Sequence, residues 1–201
     1  MFDPEMTGGG DDLDDGAISM TGVETGGLSF AQAGLEVIGN QDKRGDPGRL
    51  FTRMKSMFAG SEFESPQGDH TLIAVRDSGF SSLGKDQQAR LDPEKHPETA
   101  RAILDRHHLT GYVSESFLNG EEASSMTLPT LDPTVHAVIF APRIPKSQLP
   151  AGARLEEPII QMVNSRSGMP IKQLPIRASK KNQNYPGQKI LVVNEPFVTF
   201  K

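Results

Sequence analysis

Thr71-Leu72-Ile73-Ala74-Val75-Arg76 is the stretch on which the fold turns. Its β-branched and aliphatic run predicts a strand, and Arg76-Asp77-Ser78-Gly79 supplies the turn chemistry that ends it. The chain stays polar through Gln88. From Pro97 to Leu109, Ala100, Ile103, Leu104 and His108 share a face, with acids early, Arg106 and His107 late and Gly111 beyond, which predicts a helix packed on a sheet. Tyr112-Val113-Ser114-Glu115-Ser116-Phe117 predicts a short strand, Asn119 to Met126 a turn of helix, and Val135 to Ala141 a buried strand stopped by Pro142 and Pro145. Pro158 opens a brief predicted helix through Ile159, Ile160, Met162 and Val163, and a long polar loop covers Asn164 to Gly187. The last predicted strand, Ile190 to Phe200, breaks at Asn194-Glu195-Pro196 because proline cannot sit inside a central ladder.

Toward the N-terminus, Glu62 to Asp69 reads as a polar linker. Asp46 as cap, Pro47 in the first turn and the stripe Leu50, Phe51, Met54, Met57, Phe58 predict a helix ending at Gly60. A similar helix is predicted where Ser29 and Gln32 have capping-box spacing and Phe30, Ala33, Val37 and Ile38 share a face. Arg44-Gly45-Asp46 spells an integrin-type tripeptide, but Asp46 has an adequate local role as an N-cap. The glycine-rich, acidic stretch Met1 to Gly27 lacks the apolar surface to offset its ordering entropy and predicts a disordered tail. The fold expected is α+β, with a mixed, mainly antiparallel sheet and a small N-terminal helical part. Residues 1–27 are the tail, 28–201 a single domain, and 28–60 its helical part.

Charge is unevenly placed. Residues 1–42 hold nine acids and no base, whereas the whole chain of 201 residues has a net charge of only −5. From Pro158 to Lys201 there are seven bases (Arg166, Lys172, Arg177, Lys180, Lys181, Lys189, Lys201) against one acid, Glu195. That segment suits an acidic partner or the phosphates of a nucleotide such as NAD, while the scarcity of interleaved aromatics argues against nucleic-acid reading. No apolar run approaches the ~20 residues of a membrane-spanning helix, so no membrane association is expected. There is no cysteine, which removes thiol nucleophiles, thiolate metal sites and disulfides. The histidines lack metal-ligand spacing, no metal is expected, and neither a Gly-x-Ser-x-Gly elbow nor a phosphate loop is present.

The order of a strand ending in Arg76, a helix, Tyr112-Val113-Ser114-Glu115-Ser116, a hydrophobic strand and a C-terminal strand resembles the arginine–serine–glutamate class of toxin-like mono-ADP-ribosyltransferases. The resemblance covers about residues 70–201. It implies an NAD cofactor, with Arg76 on the diphosphate, Ser114 and Ser116 supporting the nicotinamide ribose and Tyr112 adding an aromatic contact. It also implies a carboxylate aimed at the ribose, where oxocarbenium-like positive charge develops. At the position where that family keeps its glutamate, this chain has Gln188 and Lys189. The carboxylate is then Glu195 or Glu115, with Gln188 able to bind a ribose hydroxyl, or the fold binds without catalysing. The resemblance further implies a toxin- or effector-like protein, secreted or carried in a phage particle, that modifies a target protein. The alternative is a non-enzymatic interaction protein, a virion component or delivered effector, that works through its basic C-terminal face.

Overall fold

A computed structural model describes residues 51–60, 68–182 and 187–198. The predicted tail, the helix on Ser29 to Ile38, the Arg44-Gly45-Asp46 tripeptide and Lys201 lie outside the described residues. In chain order the elements are α1 (Thr52–Gly60), β1 (His70–Val75), α2 (Asp77–Phe80), α3 (Lys85–Ala89), α4 (Pro97–Arg106), β2 (His108–Thr110), α5 (Glu115–Leu118), β3 (Ser125–Pro129), β4 (Val135–Phe140), β5 (Ile159–Asn164), β6 (Pro170–Pro175), β7 (Ala178–Lys181) and β8 (Gln188–Val193). The architecture is α+β, and the strands form two four-stranded sheets, ordered β2-β1-β8-β7 and β3-β4-β5-β6. Every junction is antiparallel except β1 with β8, which run parallel with His70 opposite Gln188 and Val75 opposite Val193.

The first sheet is the buried one. All six side chains of β1 and all six of β8 are buried, as expected where a parallel pair is covered on both faces. The helices α1 and α4 pack together, and the predicted stripe of α1 is buried at Phe51, Met54, Met57 and Phe58. Met54 Sδ accepts the Val75 N–H at 3.0 Å, tying α1 to the end of β1. Burial of each such side chain contributes about 1.5–3 kcal/mol. Helix α4 stops at Arg106, earlier than expected. His107 leaves the helical conformation and His108 begins β2, because its backbone is drawn into the ladder opposite Leu72.

The second sheet is an antiparallel meander buried on one face. Val135, Ala137 and Ile139 of β4 point inward with Ile160 and Met162 of β5 and Leu174 of β6. The two sheets join where Leu109 bridges Thr130, whose hydroxyl donates to the Val135 carbonyl at 2.9 Å.

Four expectations are corrected. The single sheet is two. The segment Tyr112 to Phe117 is not a strand: Ser114 caps α5, its Oγ accepting the Phe117 N–H at 2.9 Å, and Phe117 and Leu118 bury on one side. The apolar run after Pro158 is strand β5, since an inward Ile160 and Met162 alternate with an outward Ile159 and Gln161. The polar stretch 164–187 supplies β6 and β7, whose lysines and glutamines sit on exposed faces and edges.

Candidate functional site

The residues expected to hold NAD are divided between the two ends of the parallel pair. Tyr112, Ser114, Glu115, Ser116 and Gln188 gather where β1 and β8 begin, as the Gly111 N–H to Asp69 carbonyl bond of 2.9 Å and the contact of Glu115 with Lys189 show. Arg76 lies past the far end of β1, and Glu195 lies just past the paired end of β8. Six residues of strand, about 20 Å at ~3.3 Å per residue, separate Arg76 from the level of Gln188. Neither end brings the arginine, the serines and a carboxylate together.

Four of those side chains, Ser114, Gln188, Glu195 and Glu115, have a local partner. The Ser114 hydroxyl donates to Glu122 at 2.8 Å while capping α5. Ser116 is exposed on α5 and Tyr112 is half-buried in the connection before it. Gln188 is buried, its carbonyl oxygen accepting from the Asn182 amide at 2.5 Å. Glu195 receives the Lys172 ammonium at 2.7 Å. Glu115 receives both the Lys189 ammonium at 2.5 Å and the Ser179 hydroxyl at 3.1 Å. Partial burial would raise the Glu115 carboxyl, but the hydrogen bond and charge of Lys189, with Ser179 and Lys146, outweigh it and hold the carboxyl below its usual range. A carboxylate neutralised in this way has little field left to stabilise a developing cation.

The same pairs take up part of the charge of the basic C-terminal segment. Lys172 meets Glu195, Arg177 meets Glu157 and Lys189 meets Glu115. Three of the segment's bases are thereby matched by acids, two of which lie outside it.

What the molecule does present is a cleft of about 580 Å³ on the outer face of the second sheet. Its floor crosses the four strands: Ser125 of β3, Phe140 of β4, Ile159 and Gln161 of β5 and Gln173 of β6 line it. Ser125 stands opposite Phe140, Phe140 opposite Ile159, and Gln161 opposite Gln173, so these side chains form two adjacent cross-strand rows. Phe140 remains 39% exposed, an uncovered aromatic on a sheet face. Pro142 and Arg143 after β4, and Glu156 and Glu157 before β5, form one wall, closed by the Arg143 N–H to Glu156 carboxylate bond of 3.2 Å. Gly120 and Glu122 form another. Gly120 sits at φ +76°, and a Cβ there would meet the Pro142 carbonyl oxygen at 2.8 Å, so only glycine lets the two walls approach. Two further hollows lie along α1 beside Asp92 and Pro93.

Sequence reasoning missed this cleft. The apolar run of β4 was expected to be a buried strand, and β5 and β6 were expected to be helix and loop. The signal present was the alternation Ile159-Ile160-Gln161-Met162 and Gln173-Leu174-Pro175, a one-sided sheet pattern.

The adjacent histidines are structural. His107 is fully buried; its Nδ1 donates to the Ile103 carbonyl at 2.7 Å and its Nε2 accepts the Phe197 N–H at 3.0 Å, which fixes the tautomer. Burial, together with the nearby Arg106 and Lys172 charges, outweighs the Ile103 bond and lowers its pKa to about 4. Burial and the neighbouring His70 lower that of His108 to about 3. No group of three or more metal-ligating side chains occurs among the described residues. Nor is any helix among them long and apolar enough to cross a membrane.

No protein-family model matches the chain, and no curated protein matches it. Among solved structures it is similar to a FAS1 domain pair from the insect cell adhesion molecule fasciclin I, with a TM-score of 0.48 and 17% identity over 78% of this chain and 49% of that one. The chain thus spans about half the length of that structure. The expectation of a toxin- or effector-like enzyme transferring ADP-ribose from NAD is corrected on the chain's own geometry: Arg76 lies at the opposite end of the parallel pair from Ser114 and Ser116, and the Glu115 carboxylate is taken up by Lys189.

Proposed function

We propose that this chain is a non-enzymatic interaction protein whose partner contact is the cleft across the outer face of the second sheet. The observation that carries the reading is Phe140, left 39% exposed in the lining of a hollow of about 580 Å³, one wall of which is held by the Arg143 N–H to Glu156 bond. Uncovered aromatics within a concave, mixed polar and apolar lining are what contact sites use, because such a ring gains much on desolvation and costs little conformational entropy to fix. The basic C-terminal segment gives less support, since three of its bases, Lys172, Arg177 and Lys189, are matched by acids within the fold.

The test is site-specific photo-crosslinking in the native cell extract. A photoreactive phenylalanine analogue at position 140 is expected to yield a discrete adduct. The same analogue at Thr134, exposed at the other end of β4, is expected to yield none. Equal labelling from both positions, or nicotinamide release when the wild-type chain is incubated with NAD, would overturn the reading.

A further inference from the structure

We propose that the occupant of the cleft is a short, extended stretch of a partner protein bearing lysine or arginine, laid across the strands of the second sheet. This rests on the cleft being the contact site, and three features of the lining point to this class of partner. The first is shape. The floor runs from Ser125 on β3 to Gln173 on β6, and three inter-strand spacings of ~4.8 Å make about 14 Å. That is the length of four or five extended residues at ~3.3 Å each.

The second is the chemistry of the floor. Phe140 and its cross-strand neighbour Ile159 form an apolar strip, beside which the paired carboxamides of Gln161 and Gln173 hydrogen-bond to no other described residue. A carboxamide offers two donors and an acceptor, which matches the alternating N–H and C=O groups of an extended backbone. An apolar strip beside amides therefore fits a peptide with alternating side chains, one set on the ring and one set toward the walls.

The third is charge. The walls carry Glu122, Glu156 and Glu157 against one guanidinium, Arg143. Each carboxylate spends one oxygen locally, Glu122 on Ser114, Glu156 on the Arg143 N–H and Glu157 on Arg177, and keeps its second for a ligand. With Glu157 matched by Arg177, Glu122 and Glu156 against the single Arg143 still leave the lining net negative, which disfavours phosphates and acidic peptides and draws in ammonium or guanidinium groups.

The test is fluorescence anisotropy with the full chain and three probes: fluorescein-labelled Lys-Leu-Lys-Leu-Lys, its Glu-Leu-Glu-Leu-Glu counterpart, and labelled maltopentaose. The basic peptide alone is expected to bind saturably and to weaken several-fold between 50 and 200 mM salt, values chosen to span roughly the range over which Debye screening tightens. Glu122→Gln with Glu156→Gln should weaken it about tenfold, and Phe140→Ser should do the same, with far-ultraviolet circular dichroism unchanged in both. Binding of the acidic peptide or the sugar that is lost in Phe140→Ser would overturn the partner class while leaving the cleft as the contact site. Displacement of the basic probe by unlabelled chain, with concentration-dependent dimerisation, would put a second copy in the cleft and also overturn it. If no probe responds to Phe140→Ser, both the partner class and the contact site fall.

Discussion

The ammonium group of Lys189, a side chain only 2% exposed in the middle of the fold's buried sheet, lies 2.5 Å from the carboxylate of Glu115, 74 residues earlier in the chain. The pair sits where α5 meets the start of β8. It lets a cation occupy a strand whose Ile190, Leu191, Val192 and Val193 pack as core, and it takes up the Glu115 carboxylate at that end of the sheet.

Removing one partner should therefore cost stability rather than activity. Glu115→Gln leaves the Lys189 ammonium buried against a neutral amide and is expected to lower unfolding free energy by about 2–3 kcal/mol. This is below the range for a fully enclosed pair because the Glu115 side chain is 62% exposed and water reaches it. The double change Glu115→Gln, Lys189→Met should recover most of the loss, because an apolar side chain suits the buried position. Urea titration of the three proteins checks both statements; a double variant as unstable as the single one would contradict the account.

The buried imidazole of His107 sets an acid limit. Its pKa is lowered in the folded chain to about 4 from an unfolded value near 6.5, so the unfolded state binds the extra proton. The stabilisation is complete above about pH 6.5 and is lost as pH falls toward 4, by about 3 kcal/mol at ~1.4 kcal/mol per unit. Protonation also removes the lone pair that accepts the Phe197 N–H. His108, lowered to about 3, acts in the same direction. Denaturant midpoints measured from pH 8 to pH 4 should be flat and then fall; a midpoint that rises on acidification would contradict this.

Gly79 carries a close backbone approach. A Cβ built there would meet the Asn194 carbonyl oxygen at 2.1 Å, a distance that only a shift of α2 or of the chain after β8 can relieve. Gly79→Ala is expected to cost about 2–3 kcal/mol as an overpacked backbone contact. Gly84→Ala, where a Cβ meets nothing closer than 3.9 Å, is the control and should cost under about 1 kcal/mol. Thermal unfolding of the two variants distinguishes them.

Phe140→Ser separates binding from folding. The ring is partly exposed and outside the inward-facing rows of the second sheet, so its loss should shift unfolding free energy by less than about 1 kcal/mol. Calorimetry should find the variant folded while binding of Lys-Leu-Lys-Leu-Lys in the anisotropy assay is weakened about tenfold, ~1.4 kcal/mol. A variant that unfolds would show the ring to be core instead.

The α+β class, β1, the core stripe of α1 and helix α4 were legible because their periodicities are unambiguous: Phe51, Met54, Met57 and Phe58 suit only a helix, and Thr71 to Val75 suits only a strand. The break of the last strand at Asn194 was legible from Pro196. The second sheet was not, because Ile159-Ile160 and Met162-Val163 around Gln161 fit a helix face as well as a bulged strand, and the register shift at Met162 and Val163 blurs the alternation. Ser114 was read as one of two serines on a strand face, yet a serine three residues before a buried Phe117 is equally an N-cap, and the capped helix formed. The ion pairs were out of reach for a different reason: Glu115 and Lys189 become neighbours only through tertiary packing, so a charge count along the C-terminal segment overstated what its surface presents.

The central claim, that the outer face of the second sheet is the contact site, is tested most directly by amide chemical-shift mapping on the ¹⁵N-labelled chain, titrated in parallel with Lys-Leu-Lys-Leu-Lys and with NAD. The account predicts that the peptide shifts the amides of Ser125, Phe140, Ile159, Gln161 and Gln173 and that NAD shifts none of them. Shifts induced by NAD at Arg76, Ser114 and Ser116, with the cleft silent toward the peptide, would contradict it.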